Sequence, residues 1–433
     1  MIAFGLIITA ITELAERMIE LGSFALSPGR IYIVAVAILA ISNWMTNGSR
    51  FSLGKAGSSY LFASGLLLLV TLLSVTESPY VSYSIKRALN TTSVYMLPLV
   101  VYVYLRVQAS PVDPTHLVRR IGFTIVCTGV FLSLFGVFQE LTGFLQRSTE
   151  VRAVAGIPFT RINGLHYDGN FFSYYLVFPL WLALAAPSAV NGIESKFLRI
   201  AAVALIALAL LLTGSRGGVL MLLALGYSHF VYRYAGRRKW LVAMLEAPIV
   251  VIVPLVFLLY AYFGFEHIYH SVSKLDTGNE SGYSRVLAWY SGLKLYMQSP
   301  WLGVGPGNFV TLNKGSFLPL NYVPPWVADR ISVLAGHSNV LEVLVESGPL
   351  ALFAYFSTQF VSYVALLKRG GGDDGVWCQY FRSLIFSAAV GNILISYAPL
   401  FLMVLIGALL YITDAEAPAH RRPGASAILK RGM

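Results

Sequence analysis

The chain has 433 residues, of which 57% are hydrophobic and only 12% are charged. Charged residues make up about a quarter of a typical soluble domain, so this composition excludes an ordinary soluble protein. The net charge of +11 does not indicate a nucleic-acid-binding protein, because most of it lies in short connections and in the C-terminal tail.

Apolar segments close to membrane-spanning length recur along the chain. A helix needs about 20 apolar residues to cross the hydrocarbon layer, and lipid offers an open backbone no hydrogen-bond partners. The sequence therefore predicts an all-α, polytopic transmembrane bundle of about twelve spans. We place them near residues 1–20, 31–46, 58–76, 92–106, 119–141, 170–187, 197–213, 217–234, 241–264, 346–367, 380–396 and 399–413.

The first segment is open to two interpretations. Glu13, Glu16, Arg17 and Glu20 shorten its apolar part, so it is either a span or an interfacial helix. If residues 1–20 are counted as a span, the total is twelve spans. The predicted organisation is then a bundle of about nine spans (1–264), a large helical loop (265–345), three last spans (346–413) and a basic tail (414–433).

The distribution of basic residues predicts the orientation. With the N-terminus in the cytoplasm, the cytoplasmic connections and the C-terminal tail collect most lysines and arginines, as in other inner-membrane proteins. The opposite, outer side then receives residues 77–91, 142–169, 214–217 and 265–345. It also receives several basic residues that run against this bias: Lys86, Arg87, Arg152, Arg161, Arg216 and Arg285. An anionic ligand at that face accounts for several of them together.

The segment TGSRGG, residues 213–218, is a tight turn between two apolar runs. Its glycines permit a sharp bend, and the start of the following helix offers free N–H groups to an anion. Arg216 is either a ligand for that anion or an arginine whose head extends to the membrane surface. We favour the first interpretation.

The segment 281–309 predicts an amphipathic helix followed by a constrained glycine-rich turn, GVGPGNF. Arg285 opens the helical pattern, where a positive charge opposes the helix dipole. It is either an exposed first-turn residue or a second anion ligand. The G-x-G pattern does not indicate a dinucleotide site, because no βαβ unit surrounds it.

The segment AGHSNVLEVLVESGPL, residues 335–350, holds the candidate general base. His337 precedes a helix that Ser338 or Asn339 caps, and a neutral imidazole can accept a proton near neutral pH. The SGP sequence breaks this helix. Glu346 is interpreted as a structural partner rather than a second base. No second histidine stands at metal-ligand spacing, so no metal is expected.

Two further segments contribute candidates. In RINGLHYDGNFF, Asp168 and Asn170 are interpreted first as helix caps, while Arg161 and Tyr167 are candidates for lining the same outer cavity. In SYSIKRAL, Lys86 and Arg87 are either phosphate contacts or interfacial anchors.

The residues GSRGG (214–218), SRVLAWYSGLKLYMQSPWLGVGPGNF (284–309) and HSNVLEVLVESGPLAL (337–352), in this order, resemble the O-antigen ligase and polymerase family of bacterial inner-membrane glycosyltransferases. The resemblance implies a C-type glycosyltransferase-like fold. It also implies transfer of a polysaccharide from undecaprenyl diphosphate to lipid A–core oligosaccharide at the periplasmic face, without metal. Arg216, Arg285 and His337 match the family's two arginines and its histidine. Gly169 stands where the family more often has a proline.

Three alternatives remain open at this stage. A polymerase or a protein-directed oligosaccharyltransferase of the same superfamily would use the same donor, although polymerases often have a second large basic loop. A lipid or polysaccharide transporter belongs to a different class and would place ionisable residues in mid-span. The noteworthy charges of this sequence lie instead at one face, which favours an enzyme.

Overall fold

The structure, a computed structural model, is dominated by α-helices. It describes residues 1–11, 20–21, 24–25, 28–47, 52–108, 110, 112–145, 151–154, 157–166, 168–235, 238–263, 280–312, 338–369, 376–393 and 400–415. Two candidate residues, Tyr167 and His337, lie outside these ranges.

The described residues form fifteen α-helices and two short antiparallel ribbons. The first eight helices are α1 Ile2–Ile11, α2 Pro28–Asn47, α3 Lys55–Ser74, α4 Val81–Arg106, α5 Pro114–Thr142, α6 Gly169–Ala185, α7 Ser188–Asn191 and α8 Lys196–Leu212. The others are α9 Arg216–Ala235, α10 Lys239–Phe263, α11 Glu280–Tyr296, α12 Asn308–Leu312, α13 Asn339–Arg369, α14 Val376–Gly391 and α15 Leu400–Ala415. The ribbons pair β1 Glu20–Leu21 with β2 Phe24–Ala25, and β3 Val151–Val154 with β4 Ile157–Thr160.

Several of these helices have the length and composition of membrane spans. Five of them within the described residues qualify fully: Gly29–Thr46, Lys55–Glu77, Val81–Arg106, Pro114–Thr142 and Asn339–Arg369. Gly169–Ala185 and Leu400–Ala415 are shorter apolar helices. The predicted helical membrane protein is thereby confirmed, and the total of twelve spans stays a prediction.

Three predicted boundaries differ from the structure. Helix α1 covers Ile2–Ile11, about 15 Å or half the hydrocarbon thickness, and Glu20 lies in strand β1, while residues 12–19 of the span predicted over 1–20 fall outside the described residues. Helix α4 begins at Val81 rather than near residue 92, because its polar first turns dock on a distant turn through Ser84. Helix α11 begins at Glu280, so Arg285 lies in its second turn.

Helix α15 lies at the centre of the bundle. Every residue from Leu400 to Ile412 is buried, as expected for a helix that is apolar on all sides. It packs on α4, α1, α3 and α13, while α13 packs along α3, α14 packs along α9, and α6 lies among α5, α8 and α9.

The bundle has two ends that carry different polar contacts. At one end, which we call the Arg216 end, lie the turn between α8 and α9 and the first residues of α4, α6 and α13. At the opposite end, the Asp414 carboxylate accepts hydrogen bonds from the N–H groups of Ala56 and Gly57, at 3.1 Å each, and so caps α3. Arg369 binds the carbonyls of Ile412 and Thr413 there.

An ion pair lies inside the bundle, which the sequence analysis did not anticipate. Arg382 of α14 and Glu246 of α10 are each 1% exposed and are joined at 2.5 Å. The Tyr363 hydroxyl donates to the same carboxylate oxygen at 2.6 Å, and Arg382 also donates to the Ser228 carbonyl at 3.0 Å. One buried pair therefore connects α9, α10, α13 and α14.

Removing one partner of this pair should destabilise the protein more than removing both. We expect Arg382→Ala to lower the free energy of unfolding by about 3–5 kcal/mol, because the Glu246 carboxylate is left buried and unpaired. The double variant Arg382→Met, Glu246→Gln should lose less. Thermal unfolding in detergent measures both, and an equal loss in the two variants would contradict this account.

Candidate functional site

The turn between α8 and α9 presents Arg216. Helix α8 ends at Leu212, Gly214 turns the chain with a φ of 59°, and Ser215 precedes the first residue of α9. The Ser215 hydroxyl accepts a hydrogen bond from the N–H of Gly218 at 3.3 Å, which makes it the N-cap. The predicted tight turn is confirmed, and Arg216 is exposed at its tip.

The first residues of α6 contact this turn and fix its position. Asp168 caps α6 by accepting from the N–H of Asn170 at 2.6 Å, as the sequence predicts. The Asn170 side chain lies within the helix and accepts from the Ser215 hydroxyl at 3.0 Å. Gly218 lies so close to Ser173 that a Cβ there would stand 2.8 Å from the serine Cβ. Helices α6 and α9 thus fix the position of the turn.

Arg161 supports the same turn from the loop before α6. It is 9% exposed, its Nε donates to the Thr213 carbonyl at 2.8 Å, and its Nη2 lies 3.5 Å from the Asp168 carboxylate. A Cβ at Gly169 would stand 2.8 Å from the Arg161 Nε, which gives a physical reason for glycine at that position. These contacts give Arg161 a supporting role beside Arg216.

Arg285 reaches this group from α11. Burial lowers the pKa of Arg285, the Asp168 carboxylate raises it, and the nearby charges of Arg161 and Arg216 lower it further. Its Nε is buried and has no hydrogen-bond partner within the described part of the chain. Arg285 thus lies within electrostatic reach of two other arginines and of the Asp168 carboxylate, which itself contacts Arg161. Such a group of arginines is suited to bind a polyvalent anion through charge-assisted hydrogen bonds.

Lys86 and Arg87 lie in the second turn of α4, and both are exposed. Arg87 stands beside the glycine-rich turn, where a Cβ at Gly307 would lie 2.8 Å from its Cγ, and its charge acts on the Glu346 carboxylate. The structure therefore groups Arg87 with Gly307 and Glu346, whereas the charges that act on Arg285 are those of Arg161, Asp168 and Arg216.

The helix that follows His337 starts as predicted. The Ser338 hydroxyl accepts from the N–H of Leu341 at 3.3 Å and caps α13. Asn339 is buried and donates to the Asn392 side chain at 3.0 Å, which in turn donates to Gln359 at 3.2 Å. This amide chain ties the start of α13 to α14 at the Arg216 end.

Sequence reasoning missed a second histidine near this site. His166 is buried, stacks on Phe172 and Tyr175, and its pKa is lowered to about 3 by burial. Its imidazole is therefore neutral and shielded from solvent, so it is a packing residue. Sequence reasoning also missed that Asp168 contacts Arg161 and acts on Arg285, since its helix-cap pattern indicates only the cap.

These features define a class: a helical membrane protein with a cationic site at one end of its bundle. Residues 201–356 match the family model described as O-antigen ligase. The matched region includes Arg216, Arg285 and His337, and it confirms the resemblance to the O-antigen ligase family over that part of the chain. No curated protein matches the chain.

The absence of a side chain at Gly169 should be necessary for the Arg161 contacts. We expect Gly169→Ala to displace the Arg161 guanidinium and to destabilise the protein by about 1–3 kcal/mol through overpacking. Gly226→Ala is the matched control, because a Cβ at that helical position meets nothing within 4 Å. Thermal unfolding of the two variants measures the difference in stability, and equal stability would contradict the packing argument.

Proposed function

We propose that this protein is an O-antigen ligase. It transfers a polysaccharide from undecaprenyl diphosphate to a sugar hydroxyl of lipid A–core oligosaccharide in lipopolysaccharide biosynthesis. The observation that carries the proposal is that the charge of Arg216 acts on Arg285, although the two arginines come from segments 69 residues apart. The family match over 201–356 supports the same reaction class.

The arginines provide what the leaving group needs. A glycosyl diphosphate needs no general acid, but negative charge builds up on its leaving oxygen during transfer. Arg216 and Arg285 bind the diphosphate and stabilise this charge, while Arg161 and Asp168 hold them in place. Lys86 and Arg87 are further candidates for phosphate contact at the same end of the bundle.

His337 completes the proposed mechanism as the general base. It removes the proton from the acceptor hydroxyl as that oxygen attacks the anomeric carbon. The reaction is then a single displacement that inverts the anomeric configuration and requires no metal. Tyr167 is a further candidate to line this cavity.

An apolar cavity of about 840 Å³ supports a lipid-linked donor. It lies between α10, α11, α13 and α14 and is lined by Leu293, Tyr296, Leu344 and Phe360, among others. From Pro349 to Tyr363 it follows the part of α13 after the break at Gly348 for about 21 Å, roughly two thirds of the hydrocarbon thickness. We assign this cavity to the polyprenyl chain, because α11 links its wall to Arg285.

The proposed topology follows the positive-inside rule. The chain spans the bacterial inner membrane about twelve times, with both termini in the cytoplasm and the Arg216 end in the periplasm. The fold is then a C-type glycosyltransferase-like bundle, with residues 1–264 and 346–413 as membrane parts. Residues 265–345 form the periplasmic loop, and residues 414–433 form the cytoplasmic tail.

A transporter is the competing function of another class, and the buried Glu246–Arg382 pair is an observation in its favour. Arg382 and Tyr363 both donate to one oxygen of this carboxylate, which suits a pair that holds helices together, and the family match over 201–356 favours a glycosyltransferase. A polymerase would use the same donor site. A transfer assay with purified lipids separates these functions, because only a ligase needs lipid A–core as acceptor and a transporter forms no glycosidic bond.

Loss of either arginine should reduce transfer strongly. We expect Arg216→Ala and Arg285→Ala each to lower kcat/KM by about 10²–10³-fold, the usual effect of removing one donor to a developing charge. Arg120→Ala is the matched control, since Arg120 is an exposed arginine at the opposite end of the bundle. Unchanged kinetics in the two site variants would contradict the diphosphate role.

Loss of His337 should separate binding from turnover. We expect His337→Ala to reduce kcat by about 10²–10⁴-fold while its affinity for the lipid-linked donor is retained, because a general base acts on the acceptor. His116→Ala is the control, since that histidine is exposed at the opposite end. Normal turnover in His337→Ala would refute the assignment.

A further inference from the structure

Helix α13 is broken two residues after Glu346. Gly348 has a φ of 78°, and Pro349 has no N–H group. The carbonyls of Val345 and Glu346 therefore lose their intrahelical partners at the break. They accept hydrogen bonds instead from the N–H groups of Val304 and Gly305, at 2.9 and 3.0 Å.

The Glu346 side chain binds the same segment a second time. Its carboxylate accepts from the N–H of Phe309 at 3.2 Å and from the N–H of Gly307, so it caps the short helix α12. The fit is close, because a Cβ at Gly303 would stand 2.4 Å from the Glu346 carbonyl carbon. The backbone and side chain of Glu346 together hold the glycine-rich turn 303–309.

The same turn is also fixed to the start of α4. The Asn308 side chain is fully buried, and its two N–H groups are shared among three acceptors: the hydroxyls of Ser78 and Ser84 at 2.6 and 3.1 Å and the Val304 carbonyl at 2.8 Å. The Ser84 hydroxyl donates to the Pro306 carbonyl at 2.8 Å. Turn 303–309 thus joins three elements at the Arg216 end: α4, α11 and α13.

The turn determines where α11 lies along α13. Trp289 and Leu293 of α11 pack with Phe309, Leu341 and Val345 in a separate apolar cluster. Arg285 lies one helical turn before Trp289, so a shift of α11 by one residue along its axis would move Arg285 by about 1.5 Å. A displacement of about 1 Å can lower a reaction rate about 10²-fold.

We propose that Glu346 is a positioning residue that holds turn 303–309 and thereby places Arg285 against the donor diphosphate. This inference rests on the proposed function. The Glu346 carboxylate acts through the backbone N–H groups of Gly307 and Phe309 and takes no part in the proton transfer. Asn308 holds the same turn from the α4 side.

The test combines transfer kinetics with hydrogen exchange in the purified full-length protein. We expect Glu346→Gln, which keeps one acceptor oxygen, to lower kcat about tenfold, and Glu346→Ala to lower it about 10²-fold. Hydrogen exchange at the amides of Val304 and Gly305 should become faster in Glu346→Gln and faster still in Glu346→Ala. Asn308→Ala should give both effects, and Glu194→Ala should give neither, since Glu194 is exposed at the opposite end.

The outcomes separate this proposal from the proposed function. Faster exchange with kcat unchanged would show that the turn does not position Arg285, and a lower kcat with unchanged exchange would show that Glu346 acts directly in the chemistry. Either result overturns the proposal. If the wild-type protein transfers no glycan, the proposed function fails. Pyrophosphate binding at Arg285 then tests the positioning role. If Glu346 positions Arg285, Glu346→Ala should weaken that binding at least tenfold, and unchanged binding would contradict the proposal.

Discussion

Lipid offers no hydrogen bonds, and this constraint governs the whole structure. Each interruption of a helix within the bundle must find its backbone partners inside the protein. The break at Gly348 is satisfied by Val304 and Gly305, and the turn after Leu212 is satisfied by the N–H of Ile162 and the guanidinium of Arg161. Both interruptions lie at the Arg216 end, so the irregular backbone is concentrated where the candidate site lies.

Charged residues occur in two contrasting settings in this bundle. The Arg382 guanidinium has a carboxylate, a hydroxyl and a carbonyl as partners, so that pair connects helices. At the Arg216 end, Arg285 is partly buried within electrostatic reach of Arg161 and Arg216 and of one carboxylate, that of Asp168. Burial of positive charge is costly unless it is compensated. An anionic ligand would provide that compensation, which is the physical link between the structure and the proposed donor.

Local structure at the site followed from the sequence because its causes are local. Gly214 and Ser215 predict a turn and a cap, Asp168 and Ser338 predict caps, and the glycines of 303–307 predict unusual backbone angles. The apolar runs likewise predicted most helices to within a few residues. The prediction was wrong at α4 and α11, whose polar first turns look like loops when they are considered alone.

The sequence alone determined that this is a helical membrane protein, that its outer-face arginines need an explanation, and which residues resemble the O-antigen ligase family. Only the tertiary structure decided which of those arginines meet. It placed Arg161 beneath the Arg216 turn, brought Arg285 to Asp168, and grouped Arg87 with Glu346. The reason is that helical periodicity fixes which face of a helix is apolar, whereas the neighbours of a charged side chain depend on how distant helices pack.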